Sequence, residues 1–178
     1  MKGVLFNVLE EAISREWGEE MWDDLLTAAD LDGAYTALGN YPDTQLVALA
    51  NAAADRLNSP VEDVLRTLGR ITFKPLLSRY AGFLEEPTSL REFLPTINEL
   101  IHPQVLKLYP GASVPRFVLR ENGDDIELDY VSVRNMCMLA EGLVLGVADH
   151  YGETVSVDQP SCKQRGDSRC TIRITTAT

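Results

Sequence analysis

The sequence predicts an α+β fold: a helical N-terminal part followed by a β-β-α-β-β unit with a four-stranded antiparallel sheet. Three observations carry this. Apolar residues recur near the helical period through the first two-thirds of the chain. The last third holds two alternating runs, Arg116–Arg134, around Asn122-Gly123, and a second pair around Arg165-Gly166-Asp167; both read as hairpins. Between the hairpins, Asn135–Gly152 is mostly apolar and reads as a buried helix.

In chain order, Leu5, Leu9, Ala12, Ile13 and Trp17 mark a first helix from Lys2 to Trp17, stopped by Gly18. Glu19–Leu31 opens with acids, which suit the positive end of a helix. A loop rich in Gly, Asn and Pro follows, and Asp43 is placed to cap an alanine-rich helix. Ser59-Pro60-Val61-Glu62 reads as a capping box with proline in the first turn. That helix is expected to run to about Lys74, where Pro75 kinks or ends it. Thr88 and Ser89 signal another start, Pro95 a kink or boundary, and Pro110-Gly111 the stop of a helix holding Ile97, Leu100, Ile101, Val105 and Leu108.

With 178 residues the chain is expected to form one domain. The net charge of −11 opposes contact with a phosphate backbone or an anionic membrane surface, so neither nucleic acid nor membrane is expected as a partner. No apolar run reaches the roughly 18 residues that span a bilayer. The N-terminus does not read as a signal peptide, which predicts a cytoplasmic, reducing setting. The motifs of phosphate loops, dinucleotide sites, nucleophile elbows and zinc proteases are missing, so an enzyme is not expected.

Three features carry chemistry. His102 follows Leu100 and Ile101 on a strongly apolar segment. There a neutral imidazole either bonds a backbone carbonyl or serves as a single axial ligand of the kind a haem iron needs. Tyr130, Ser132 and Arg134 fall at every second position. An extended chain would point them one way, as a solvated strand face or as a clamp for carboxylates. Ile126 and Leu128 share that face, so it begins apolar. Cys137, Cys162 and Cys170 are one donor short of a four-ligand structural zinc; the alternative is a buried thiol at Cys137 and two exposed thiols flanking a hairpin.

Taken together, Met1–Ile13, His102, Ser113–Arg116 and Tyr130–Arg134 resemble the H-NOX domain, the haem-nitric oxide/oxygen binding fold, which is also the haem domain of soluble guanylate cyclase. Tyr-x-Ser-x-Arg beginning 28 residues after a helical histidine is specific as a combination. The resemblance implies haem b between a distal helical subdomain, about residues 1–65, and a proximal α+β subdomain, about 66–178. It makes His102 the iron ligand, sets Tyr130, Ser132 and Arg134 on the haem propionates, and has Pro115 press on the porphyrin. Oxygen-binding relatives place a tyrosine on the helix after the arginine, where this chain has Leu139. The other expected pocket positions are Leu5, Leu9, Leu76 and Leu143, all apolar. A pocket without a hydrogen-bond donor favours nitric oxide and carbon monoxide over oxygen. The resemblance therefore implies a nitric oxide sensor acting on a separate signalling protein, a histidine kinase or a cyclic-di-GMP enzyme. It also implies a zinc site in which Cys137, Cys162 and Cys170 match and Gln159 stands where a histidine is expected, with Asp158 as a substitute. The alternative is a redox-sensing interaction module carried by the three cysteines, with haem secondary.

Overall fold

A computed structural model describes residues 1–80, 87–123 and 125–176. Four helices form the N-terminal part: α1 (Gly3–Trp17), α2 (Glu19–Ala28), α3 (Asp43–Leu57) and α4 (Val61–Tyr80). Then come α5 (Leu90–Thr96), a π-helical turn (Ile97–Ile101) and α6 (His102–Leu108). The C-terminal unit is β1 (Arg116–Asn122), β2 (Asp125–Val131), α7 (Cys137–Tyr151), β3 (Val155–Ser161) and β4 (Cys170–Thr176). The sheet is antiparallel throughout, in the order β1-β2-β4-β3.

The sheet has two chemically distinct faces. Ile126, Leu128, Ile172 and Ile174 are fully buried in one core cluster with Ala140, Val144 and Val147 of α7. On the other face the register aligns Arg120, Glu127, Arg173 and Asp158 in a row across all four strands. Neighbours in that row pair at 3.5, 3.4 and 3.8 Å. Each such pair contributes little in water, at most about 1 kcal/mol. The row marks this face as the solvated one. A second core cluster joins α1, α2 and α3 through Phe6, Ile13, Trp22, Leu25 and Leu49. Helix α4 serves both clusters, with Val64 and Leu68 in one and Phe73 in the other.

Several local expectations change. Asp43 does not cap α3: Pro42 precedes the helix and the Asp43 carboxylate is used elsewhere. Ser59 donates to the Leu57 carbonyl at 3.2 Å instead of closing a capping box. Helix α4 does not end at Lys74 but continues through Pro75 to Tyr80. A proline costs a helix about 3 kcal/mol in isolation. Here α4 is held along its length against α7, and tertiary packing outweighs that local cost. At Ser89 the start signal works as expected, since its hydroxyl accepts from the Glu92 N–H at 3.2 Å. Between Pro95 and Pro103, which have no N–H to donate, the ladder slips to the π register just before His102.

Candidate functional site

The site lies where α1, α4, α7 and the π turn converge on β1 and β2. These elements enclose a cavity of about 280 Å³. Leu5 comes from α1, Phe73, Leu76 and Leu77 from α4, and Leu139, Leu143 and Val144 from α7. Leu76 faces the cavity because α4 continues past Pro75. Leu9, expected beside it, does not line the cavity; it is buried in the N-terminal cluster. Phe73, Leu77 and Val144 were not anticipated. Their signal was present, since Phe73 and Leu77 are four apart on one helix, as are Leu139 and Leu143.

His102 lines this wall together with Ile101 and Pro115. Two contacts set its position. The Asn98 side chain donates to the Phe117 carbonyl at 2.5 Å and accepts from the Phe117 N–H at 3.2 Å, which ties the π turn to β1. The Phe117 ring then lies nearly parallel to the imidazole at 6.0 Å. Burial lowers the His102 pKa to about 4, only partly opposed by the Pro115 carbonyl, so the imidazole is neutral at physiological pH. Its Nδ1 is buried with no partner among the described residues. An unpaired buried nitrogen is costly unless a ligand uses the ring.

Tyr130, Ser132 and Arg134 are brought together, though not as a strand face. Strand β2 ends at Val131, and the chain then turns, reaching a left-handed conformation at Asn135 (φ 53°). Tyr130 is buried on the inner face, in line with Ile126 and Leu128. Burial raises its pKa, against contacts with the Ser132 side chain and the Met136 backbone. The Ser132 hydroxyl accepts from the Arg134 N–H at 3.2 Å. Tyr130 and Arg134 line the cavity, while Ser132 links them. The Arg134 guanidinium donates to the Ser113 carbonyl at 2.6 Å and to the Asp43 carboxylate at 2.9 Å. Burial pushes the Asp43 carboxyl up, but the N-terminal ammonium and Arg134 outweigh this and hold it below its usual range. Asp43 lies 91 residues from Arg134, and no local signal marks the pair.

The cysteines form a separate cluster. Their sulfurs lie within 4.8 Å of one another, with Cys137 and Cys162 at 3.5 Å. All three are buried, so Cys162 and Cys170 are not the exposed pair of the alternative reading. Burial pushes the Cys137 thiol up; at Cys162 burial acts the same way, but backbone N–H groups led by that of Gln164 outweigh it. Asp158 does not join the cluster. Its side chain is 62% exposed and faces Arg173. Gln159 gives its Nε2–H to Glu141 at 2.9 Å. Three thiols without a fourth histidine, cysteine or carboxylate donor do not make the four-ligand set of a structural zinc, and the expected zinc is not supported.

A family model described as haem-NO-binding matches residues 2–159. The chain belongs to this haem-binding gas-sensor family. The H-NOX protein from S. oneidensis in its Fe(II)NO state is 30% identical, covers both chains fully and superposes with a TM-score of 0.90. Its solution structure in the Fe(II)CO state gives 0.87 at 30% identity, covering 100% of this chain and 99% of that one. The unliganded Fe(II) H-NOX protein from K. algicida gives 0.83 at 26% identity, covering 100% and 97%. The H-NOX fold expected from the sequence is thus the fold found. A cysteine-based redox module with haem secondary finds no support beside this match. Among the described residues no helix is long and apolar enough to cross a membrane.

The residues present fit a haem. A neutral imidazole with an unpaired buried nitrogen faces a cavity walled by leucines and phenylalanines, and a guanidinium stands on the same lining. These are the donors a porphyrin needs from a protein: one axial nitrogen, apolar contact and a cation for its carboxylates.

Proposed function

We propose that this H-NOX domain is a nitric oxide sensor in which His102 holds a ferrous haem and a change at that attachment signals to a separate partner protein. The observation that carries the reading is the neutral imidazole of His102, with its unpaired Nδ1, on the wall of an apolar cavity. The haem would supply the iron that binds the gas. Tyr130, Ser132 and Arg134 would hold the propionates, with Arg134 dividing its hydrogen bonds between them and Asp43. Pro115 would bear on the porphyrin from the His102 side.

Gas selectivity follows from the lining. Leu5, Leu76, Leu139 and Leu143 offer no hydrogen-bond donor, so bound oxygen, which gathers negative charge, gains nothing from them. Nitric oxide and carbon monoxide need that help less. His102 begins α6 directly after the π turn, and Asn98 ties that turn to β1. A change at His102 would therefore act on the helix and the sheet together. Arg134 and Asp43 join β2's following turn to α3, so the same movement would load the contact between the two halves of the chain. The partner would read the shifted surface; a histidine kinase or a cyclic-di-GMP enzyme fits that role.

The test is spectroscopic. Purified protein reduced with dithionite should carry a haem band that moves with nitric oxide and with carbon monoxide but not with air. A well-folded protein that cannot be loaded with haem overturns the proposal. Leu139→Tyr sharpens it, since a phenol at that wall position supplies the missing donor. A hydrogen bond to a charged acceptor contributes about 1.5–3 kcal/mol, so the variant should hold oxygen at least about tenfold more tightly than wild type. Oxygen titration followed at the haem band measures this, and unchanged affinity would show that Leu139 does not face the bound gas.

A further inference from the structure

The three buried thiols remain without a role in gas sensing. Cys137 opens α7, Cys162 follows β3 and Cys170 opens β4, so three separate elements bring their sulfurs within 4.8 Å of one another. Cys137 and Cys162 are fully buried, and Cys170 is 1% exposed. The short turn at Lys163–Arg165 aims backbone donors at them. The Lys163 N–H donates to the Cys170 sulfur at 3.3 Å, and those of Gln164 and Arg165 lie against the Cys162 sulfur. Backbone N–H groups directed at sulfur favour it as an anion, the form that binds metals.

The donor count then selects the ion. A structural zinc is almost always four-coordinate, and iron–sulfur clusters are held by four cysteines. No histidine, cysteine or carboxylate among the described residues completes this set. Gln159 could add only a hard amide oxygen, and its N–H is already held by Glu141. Cu(I) is the soft ion that thiolates select when hard donors are missing. We propose that Cys137, Cys162 and Cys170 form a three-coordinate sulfur site for a soft monovalent ion, Cu(I), distinct from the haem cavity. Binding would not change the metal's oxidation state; the thiols that become ligands release their protons to the buffer.

The experiment does not rest on the haem reading, because it counts metal on the protein as purified, coloured or not. Anaerobic wild-type protein is titrated with Cu(I) supplied as its bicinchoninate complex, desalted, and examined by native mass spectrometry and by X-ray absorption at the copper edge. One copper per chain with three sulfur neighbours is the expected result. Cys170→Ser should bind copper at least about tenfold more weakly, since removing a ligand costs no less than removing an outer contact. Gln159→His, which supplies the absent fourth donor, should raise zinc retention against EDTA by about tenfold or more. Copper that binds equally to Cys170→Ser, two sulfur neighbours or fewer, no copper bound, or unaltered zinc retention in Gln159→His would each overturn the proposal. So would wild-type protein that keeps one zinc against EDTA. Because the wild-type spectrum alone decides the coordination number, a variant that fails to fold does not rescue the idea.

Discussion

His102→Gly should yield a folded protein that no longer keeps its haem, and added imidazole should restore the colour. The argument runs from the energetics of one ring. In the haem-free chain the imidazole is neutral, half-buried and carries an unpaired Nδ1. A buried polar atom without a partner costs about 1–3 kcal/mol, which offsets much of what the ring gains by packing against Phe117. Removing the side chain should therefore change the stability of the haem-free chain by no more than about 1 kcal/mol. Haem affinity is another matter, because the axial nitrogen is the one directed bond between chain and iron in the proposal. Its loss should weaken haem binding by at least about a hundredfold, equivalent to about 3 kcal/mol. Free imidazole fits the space left by the ring and can rebuild that bond. Urea unfolding of the haem-free proteins and haem content after gel filtration, with and without imidazole, measure the two effects separately. Full haem content in the glycine variant without imidazole would remove His102 from the role.

The legibility of this protein divides along sequence distance. The hairpin at Asn122-Gly123, the buried helix behind it and the apolar phase of Ile126, Leu128 and Tyr130 follow from periods of two and 3.6, and the structure has them. Proline was over-read. Pro75 was expected to break a helix that packing against α7 keeps intact, and the slip after Pro95 became a π turn, which single-residue preferences do not encode. Tyr130, Ser132 and Arg134 were grouped by alternation, yet it is a turn that gathers them. The grouping was right and the geometry behind it was not. Asp43 shows the remaining limit. A helix-start acid looks the same whether it caps its own helix or crosses to Arg134, and only the tertiary fold decides between them.

Gly142→Ala should destabilise the protein more than any surface change, by about 3 kcal/mol, despite alanine's better helix propensity of about 1 kcal/mol. A Cβ at Gly142 would stand 1.9 Å from the Arg66 carbonyl oxygen and 2.8 Å from its carbon. Both are backbone atoms of α4, so no side-chain rotation relieves the clash and the two helices must separate. Gly69 answers from the other side, where a Cβ would meet the Leu139 carbonyl oxygen at 2.2 Å. Separation would disturb two things at once. It would stretch the Arg66–Glu141 pair, now 2.6 Å with the carboxylate 5% exposed. It would also shift Leu139 and Leu143, which flank Gly142 and line the cavity. The midpoint of urea unfolding should fall with an unchanged slope. Gly69→Ala should cost a similar amount, and the double variant should cost less than the sum, because one separation of α4 from α7 accommodates both methyl groups. If the loss is in packing alone, the haem band of the loaded Gly142→Ala protein stays as in wild type; a displaced cavity wall changes it and weakens haem retention. An unchanged or higher midpoint would mean that α4 and α7 part freely, and the rigid crossing that sets the cavity's width would not exist.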